Sequence, residues 1–308
     1  MTKTFALTAF ARSVLVVRSA LWAALLPAAL SLGMAGAAVA AESGLQIARQ
    51  GDWTFGGMRG KFDKAQLHRG FQVYQQVCSA CHGLKRVNFR NLGEPGGPAF
   101  PEDSVKGLAA SWPNQIFDGP NDQGLIATSK GQIIKRPARL SDPILGPYDN
   151  DKAARAAQNG ALPPDLSLIT KARSLEYLGP LWAHPFHMLG DIGRGYQEGG
   201  ADYVYALLTG YGNPPADMKM SEGMNYNRAF PGNQIAMIPP MVPGQVKYQD
   251  GTPATVEQYA KDVTAFLMWA GDPKLEERKS MGWKVMLYLL ITSLLLYFAK
   301  KQIWSKLH

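Results

Sequence analysis

The chain has 308 residues, of which 46% are hydrophobic and 18% charged, against about 25% charged in an average globular protein. Its formal charge of +8 comes from the ends: across residues 42–277, 23 Lys and Arg face 24 Asp and Glu. A body so balanced lacks the clustered basic surface of a nucleic-acid binder, and two cysteines exclude a multi-bridge disulfide framework.

Residues 1–40 hold three positive charges and no negative one, with a small-residue-rich apolar run over 21–37. Ala38-Val39-Ala40 supplies the small side chains that an export peptidase cleaves behind, so 1–40 is expected to be a signal peptide and the next domain periplasmic. Leu67, Gly70, Phe71, Tyr74 and Val77 then recur at intervals of three and four, which predicts a helix whose apolar face ends at the cysteines.

There Cys78-Ser79-Ala80-Cys81-His82 puts two thiols three positions apart with a histidine directly behind. Two such thiols can add to the vinyl groups of haem while the turn between them brings the histidine beneath the iron. A pair at this spacing is also found in dithiol redox centres. His82 and the helix before the pair favour one covalently bound haem c with His82 as proximal ligand.

The middle of the chain holds 19 of the 21 prolines and reads as ordered loop, with short helices predicted at 151–158, 166–173 and 201–209. Asn159-Gly160 and Gly210 are natural stops for them. Arg173 is placed either to balance a haem propionate or to cap its helix in solvent. For the sixth iron position the other histidines are His68, His184, His187 and His308. The rival thioethers are Met218, Met220, Met224 and Met237. Met237 is preferred, because it lies in the stiff apolar stretch 230–240 and a soft, neutral ligand raises haem potential. The alternative leaves all four methionines in loop or core.

Thr255 can cap a later helix, with Gln258 reaching back to it. Val256, Tyr259, Ala260, Val263, Phe266, Leu267 and Ala270 form its apolar face, and Gly271 and Pro273 stop it. Packed on the first helix, with Gly70 allowing close approach, it would enclose an all-α domain. Residues 281–299 then carry Lys284 as their sole charge. At ~1.5 Å per residue they reach about 28 Å, near the hydrocarbon thickness of about 30 Å. Lys300, Lys301 and Lys306 follow as a basic cytoplasmic flank. The expected order is signal peptide (1–40), periplasmic haem c domain (41–277), transmembrane anchor (281–299) and cytoplasmic tail (300–308), in a single-pass protein of the cell inner membrane.

Four segments, in this order, resemble the cytochrome c1 family, the haem subunits of ubiquinol–cytochrome c reductase. They are residues 69–82, the run Asn159-Gly160-Ala161-Leu162-Pro163-Pro164-Asp165-Leu166-Ser167, residues 231–240 and residues 250–255. The likeness extends from about Gly56 through the anchor. It implies a class I cytochrome c core with long Pro/Gly-rich insertions, haem on Cys78 and Cys81, His82 as proximal and Met237 as distal ligand, and Arg173 near a propionate. Asn159, Pro164 and Tyr203 look like family residues lining the haem.

The resemblance also implies one-electron transfer from a Rieske iron–sulfur subunit to a soluble or membrane-bound cytochrome c, with cytochrome b as a further subunit of a dimeric complex. The rival readings are a membrane-anchored mono-haem cytochrome c feeding a terminal oxidase and, in a different class, an exported dithiol or haem-delivery protein. Residues between Arg173 and Tyr203, including Trp182, His184 and His187, look like an insertion relative to shorter members. Some bacterial relatives brace the haem pocket with another cysteine pair. This chain has none, so packing and prolines are expected to restrain the Met237 loop.

Overall fold

The computed structural model describes residues 52–114, 116–117, 135–173, 180–193 and 199–305, so the expected signal peptide and the last three residues lie outside the described part. Helix α1 (Lys64–Gln76) starts where the Asp63 carboxylate accepts from the Ala65 amide at 3.0 Å, and it buries Leu67, Gly70, Phe71, Val73 and Tyr74. A 3₁₀ turn, Cys78–Ala80, follows it directly. Next come α2 (Glu102–Ala110), α3 (Asp151–Ala157), α4 (Ile169–Ala172), α5 (His184–Gly193), α6 (Gly199–Thr209), α7 (Val256–Gly271) and α8 (Leu275–Trp304). Helices α1 and α7 match the periodicity, and α3 and α6 lie where short helices were expected, whereas α2 and α5 were not expected.

One expected helix is shorter than its spacing implied. Residues 166–168 stay outside α4 because their backbone is used elsewhere: the Leu166 amide donates to the Gly83 carbonyl at 2.9 Å and the Ser167 amide to the Asp165 carboxylate at 3.0 Å. Among the described residues the loops also form three antiparallel ribbons. They pair β1 (Leu84–Asn88) with β4 (Pro143–Ile144), β2 (Ile116–Phe117) with β3 (Lys135–Arg136), and β5 (Asn225–Tyr226) with β6 (Gln234–Ile235).

The core is the crossing of α1 and α7. A Cβ on Gly70 would lie 2.1 Å from the Asp262 carbonyl oxygen and 2.7 Å from Phe266 Cβ, so the helices touch where glycine leaves room. Phe71 packs edge-on against Phe266 at 5.5 Å, and Tyr74 lies 5.8 Å from the same ring. Asp262, buried in α7, is neutralised by Arg69 Nε at 3.0 Å and receives Gln258 Nε2 at 2.9 Å. Thr255 caps α7 as expected, its hydroxyl accepting from the Gln258 amide at 3.2 Å. The reciprocal half of the cap does not form, because Asp262 takes the Gln258 side chain, and a buried carboxylate gains more from a donor than an exposed helix end does.

Helix α8 has 30 residues, is long and apolar enough to cross a membrane, and contains the expected span. At ~1.5 Å per residue it measures about 45 Å, more than the hydrocarbon core requires. Trp283 and Trp304 near its two ends suit the aromatic belts of the membrane interfaces. Its first two turns are fastened to the domain. Lys279 Nζ donates to the carbonyls of Phe55 and Gly57 at 2.5 and 2.6 Å, and Glu276 accepts from the Phe62 amide at 2.9 Å.

Candidate functional site

The cysteine pair lies on a turn that closes on one atom: the amides of Cys81 and His82 both donate to the Cys78 carbonyl, at 3.1 and 2.9 Å. Tyr74, one turn back on α1, donates to the His82 carbonyl at 3.1 Å. Both cysteines are half-buried and neither is in a disulfide. Burial, with the neighbouring Cys81, pushes the Cys78 thiol up to about 12. A dithiol exchange centre needs a readily formed thiolate, so this environment opposes that reading.

After His82 the chain is zipped to the loop before α4. Besides the Gly83–Leu166 bond, the Lys85 amide donates to Asp165 at 2.8 Å and the Arg86 amide to Ser167 Oγ at 3.0 Å. On the other side Gly83 meets Gly146 so closely that a Cβ on Gly83 would lie 2.6 Å from the Gly146 nitrogen. This alignment brings the Pro164 carbonyl to 2.8 Å from His82 Nδ1. A carbonyl can only accept, so Nδ1 carries the proton and Nε2 keeps its lone pair. Burial lowers the His82 pKa, against the opposing pull of Pro164 and Asp165, and so favours the neutral ring.

These residues fit a haem. A metal-ligating histidine holds its other ring nitrogen on a carbonyl or carboxylate in just this way, and Nε2 makes no hydrogen bond among the described residues. Among those residues no group of three or more His, Cys, Asp or Glu gathers to hold a bare ion. The donor set is one nitrogen beside two thiols, as a group bringing its own ring ligands requires. A cavity of about 810 Å³ opens beside Cys81, lined by Gly146, Tyr148, Leu162 and Pro163 among others, but not by His82 or Met237.

The remaining candidates fall into separate groups. Asn159 takes a left-handed φ of 49° and, with Gly160 at 88°, turns the chain after α3. Its neighbour Gln158, for which the sequence offered no signal, bridges Cys81 Sγ at 3.6 Å and the Tyr148 hydroxyl at 2.6 Å. Arg173 is exposed at the end of α4, and its charge works on Tyr203 of α6, whose phenol is nonetheless raised by burial. The helices meet there at Gly200, where a Cβ would lie 1.7 Å from the Thr170 carbonyl oxygen. Met237 is half-buried just past β6, and its carbonyl accepts from the Tyr211 hydroxyl at 3.1 Å and Asn225 Nδ2 at 3.4 Å. Its loop is therefore held by hydrogen bonds, where packing and prolines were the restraints expected, and neither bond reaches the Cys78–His82 turn. His68 is engaged by the Pro98 carbonyl at 2.5 Å and stacked on Phe100.

Residues 53–307 match the model of the cytochrome C1 family. Cytochrome c1 of Blastochloris viridis is 46% identical over 277 residues, covering 90% of this chain and 93% of that protein. Cytochrome c1 of Rhodospirillum rubrum is 40% identical over 297 residues, covering 91% and 96%. A protein of Bradyrhizobium diazoefficiens named cytochrome b/c1 is 46% identical over 257 residues, which are 83% of this chain and 35% of that longer protein. With a geometry that suits haem and a match along nearly all of the described chain, the protein belongs to the cytochrome c1 family.

Proposed function

We propose that this chain is the haem-bearing electron-transfer subunit of a ubiquinol–cytochrome c reductase. Electrons pass singly from a Rieske iron–sulfur subunit to a soluble or membrane-bound cytochrome c. The haem domain is periplasmic and α8 anchors it beside cytochrome b in a dimeric complex, with the basic tail cytoplasmic after export by a signal peptide. A relative whose name joins cytochrome b and c1 supports the cytochrome b partnership.

The observation that carries the reading is the 2.8 Å contact between His82 Nδ1 and the Pro164 carbonyl directly behind the cysteine pair. One haem c, held by Cys78 and Cys81, would supply a one-electron redox couple. The chain's own residues do the rest: Pro164 fixes the tautomer that leaves His82 Nε2 free to ligate. Met237 would hold the iron from a second segment in place of water, and Arg173 would offer a cation to a propionate. Tyr203 of α6, beside Arg173, would line the haem from that side, and Asn159 shapes the turn next to Gln158 and Cys81.

Purification of the membrane complex tests this. Haem staining that persists on this chain after denaturation, together with cytochrome b and a Rieske centre in the same preparation, is the expected result. A chain that loses its haem on denaturation would remove the covalent site. A haem-bearing chain that purifies alone would favour a terminal-oxidase carrier instead.

A further inference from the structure

A chain whose two cysteines sit on the attachment turn has no thiol left to brace the segment that carries Met237, and the structure contains a different restraint. Upstream, that segment is paired through Ile235 in β6, whose side chain is buried. Downstream, Pro239 fixes its own φ and narrows the choices of Ile238. Residues 236–238 lie between these fixed points, and the Tyr211 hydroxyl reaches the carbonyl at their centre.

Tyr211 is well placed to serve as an anchor. It follows α6, which packs on α7, and it bridges to Asn227 across an antiparallel pair. The Arg228 amide donates to the Gly210 carbonyl at 3.0 Å, and Asn227 Nδ2 donates to the Leu207 carbonyl at 2.7 Å, so the end of α6 and the β5–β6 hairpin are joined. Gly210 makes room for this: a Cβ there would lie 2.7 Å from Asn227 Oδ1.

We propose that Tyr211 is a positioning residue for Met237. By donating to the Met237 carbonyl, its hydroxyl ties the methionine turn to the α6–α7 frame and sets how firmly the thioether stays on the iron. This rests on the reading of Met237 as distal ligand. Without the bond, the backbone between Ile235 and Pro239 gains conformations in which the thioether is withdrawn. Losing one neutral hydrogen bond of this kind shifts a local equilibrium roughly five-fold.

Tyr211→Phe keeps the ring and removes the donor. In the full chain, within its purified complex and with haem attached, imidazole should bind the oxidised haem about five-fold more tightly than in wild type. The absorption band that marks sulfur ligation should weaken, and covalent haem content should stay unchanged. Asn225→Ala removes the longer bond, 3.4 Å, and should shift imidazole affinity less. An unchanged imidazole affinity in Tyr211→Phe, even with a lower melting temperature, overturns the proposal, because a merely structural tyrosine would give that result. So does a Tyr211→Phe chain that accumulates without haem. Met237→Ala separates this failure from failure of the underlying reading. If it opens the iron to imidazole while Tyr211→Phe does not, the positioning role alone falls. If Met237→Ala changes neither the band nor the affinity, the ligand assignment falls.

Discussion

Around His82 the chain is fixed by many short bonds that converge from distant segments. Tyr74 holds its carbonyl, Pro164 its ring, and residues 83–86 are paired to 165–167 by three hydrogen bonds of 2.8–3.0 Å. Around Met237 the support is lighter: a two-residue ribbon, a proline behind it, and a carbonyl held at 3.1 and 3.4 Å. The histidine side is part of the α1–α7 frame, whereas the methionine side is attached to that frame through the end of α6. An electron carrier gains from this asymmetry. With His82 and Met237 as the proposed ligands, a fixed histidine would keep the group in register, and a more lightly held thioether would let small changes in packing tune the potential.

The largest effect should come from striking the frame itself. Gly70→Ala places a Cβ against backbone of α7, 2.1 Å from the Asp262 carbonyl oxygen, at the crossing that the Arg69–Asp262 ion pair also joins. Overpacking at such a crossing costs about 3 kcal/mol. Thermal unfolding of the purified complex, followed by the signal of this chain, should show a large drop in melting temperature. An unchanged transition would mean that the crossing is looser than described.

A smaller change separates the two sides by sign. Asp165→Ala removes the acceptor for both the Lys85 and Ser167 amides, at a cost of about 2 kcal/mol, and loosens the loop that presents Pro164 to His82. With its Nδ1 partner less well placed, His82 becomes a weaker donor to iron, so the midpoint potential should rise. Met237→Ala should do the opposite, lowering the potential by removing the thioether. Potentiometric titration of the two variants checks this. Shifts of the same sign would contradict the division of roles.

The two sides also differed in how far the sequence disclosed them. The spacing of Leu67, Gly70, Phe71 and Tyr74, and the Thr255 cap, were legible because they are local: three- and four-residue periods and a single side-chain oxygen decide them. The Cys78–His82 motif was legible because the haem attachment proposed for it would demand those residue types at that spacing. Pro164 was reached only through family resemblance, since what acts is a backbone carbonyl, which any residue supplies. Tyr211 was not reached, because its target is again a carbonyl, 26 positions away. Helix α5 was missed for a different reason: its apolar residues Phe186, Met188 and Leu189 are exposed, so its spacing marks no face turned to the core.

The smallest effect distinguishes the two sides by their response to acid. The loop leading into β4 is closed by Asp142, whose carboxylate accepts from Arg136 Nη1 at 2.5 Å and from the Arg139 amide at 2.7 Å, and whose carbonyl accepts from Phe89 at 3.1 Å. Arg136 first, then the Arg139 amide, hold this carboxyl below its ordinary value of 3.8, while partial burial opposes them. Because the folded value is the lower one, the stabilisation is complete above the ordinary value and disappears as pH falls through the depressed one. By contrast, the bonds on Met237 run between a phenol, an amide and a carbonyl, none of which titrates in acid. Amide hydrogen exchange should therefore show β1–β4 losing protection on acidification while the β5–β6 hairpin keeps its own. Asp142→Asn should give β1–β4 at neutral pH the weaker protection that wild type shows only in acid. Equal loss in both ribbons would mean that acid acts on the whole domain, and the local account of Asp142 would then fail.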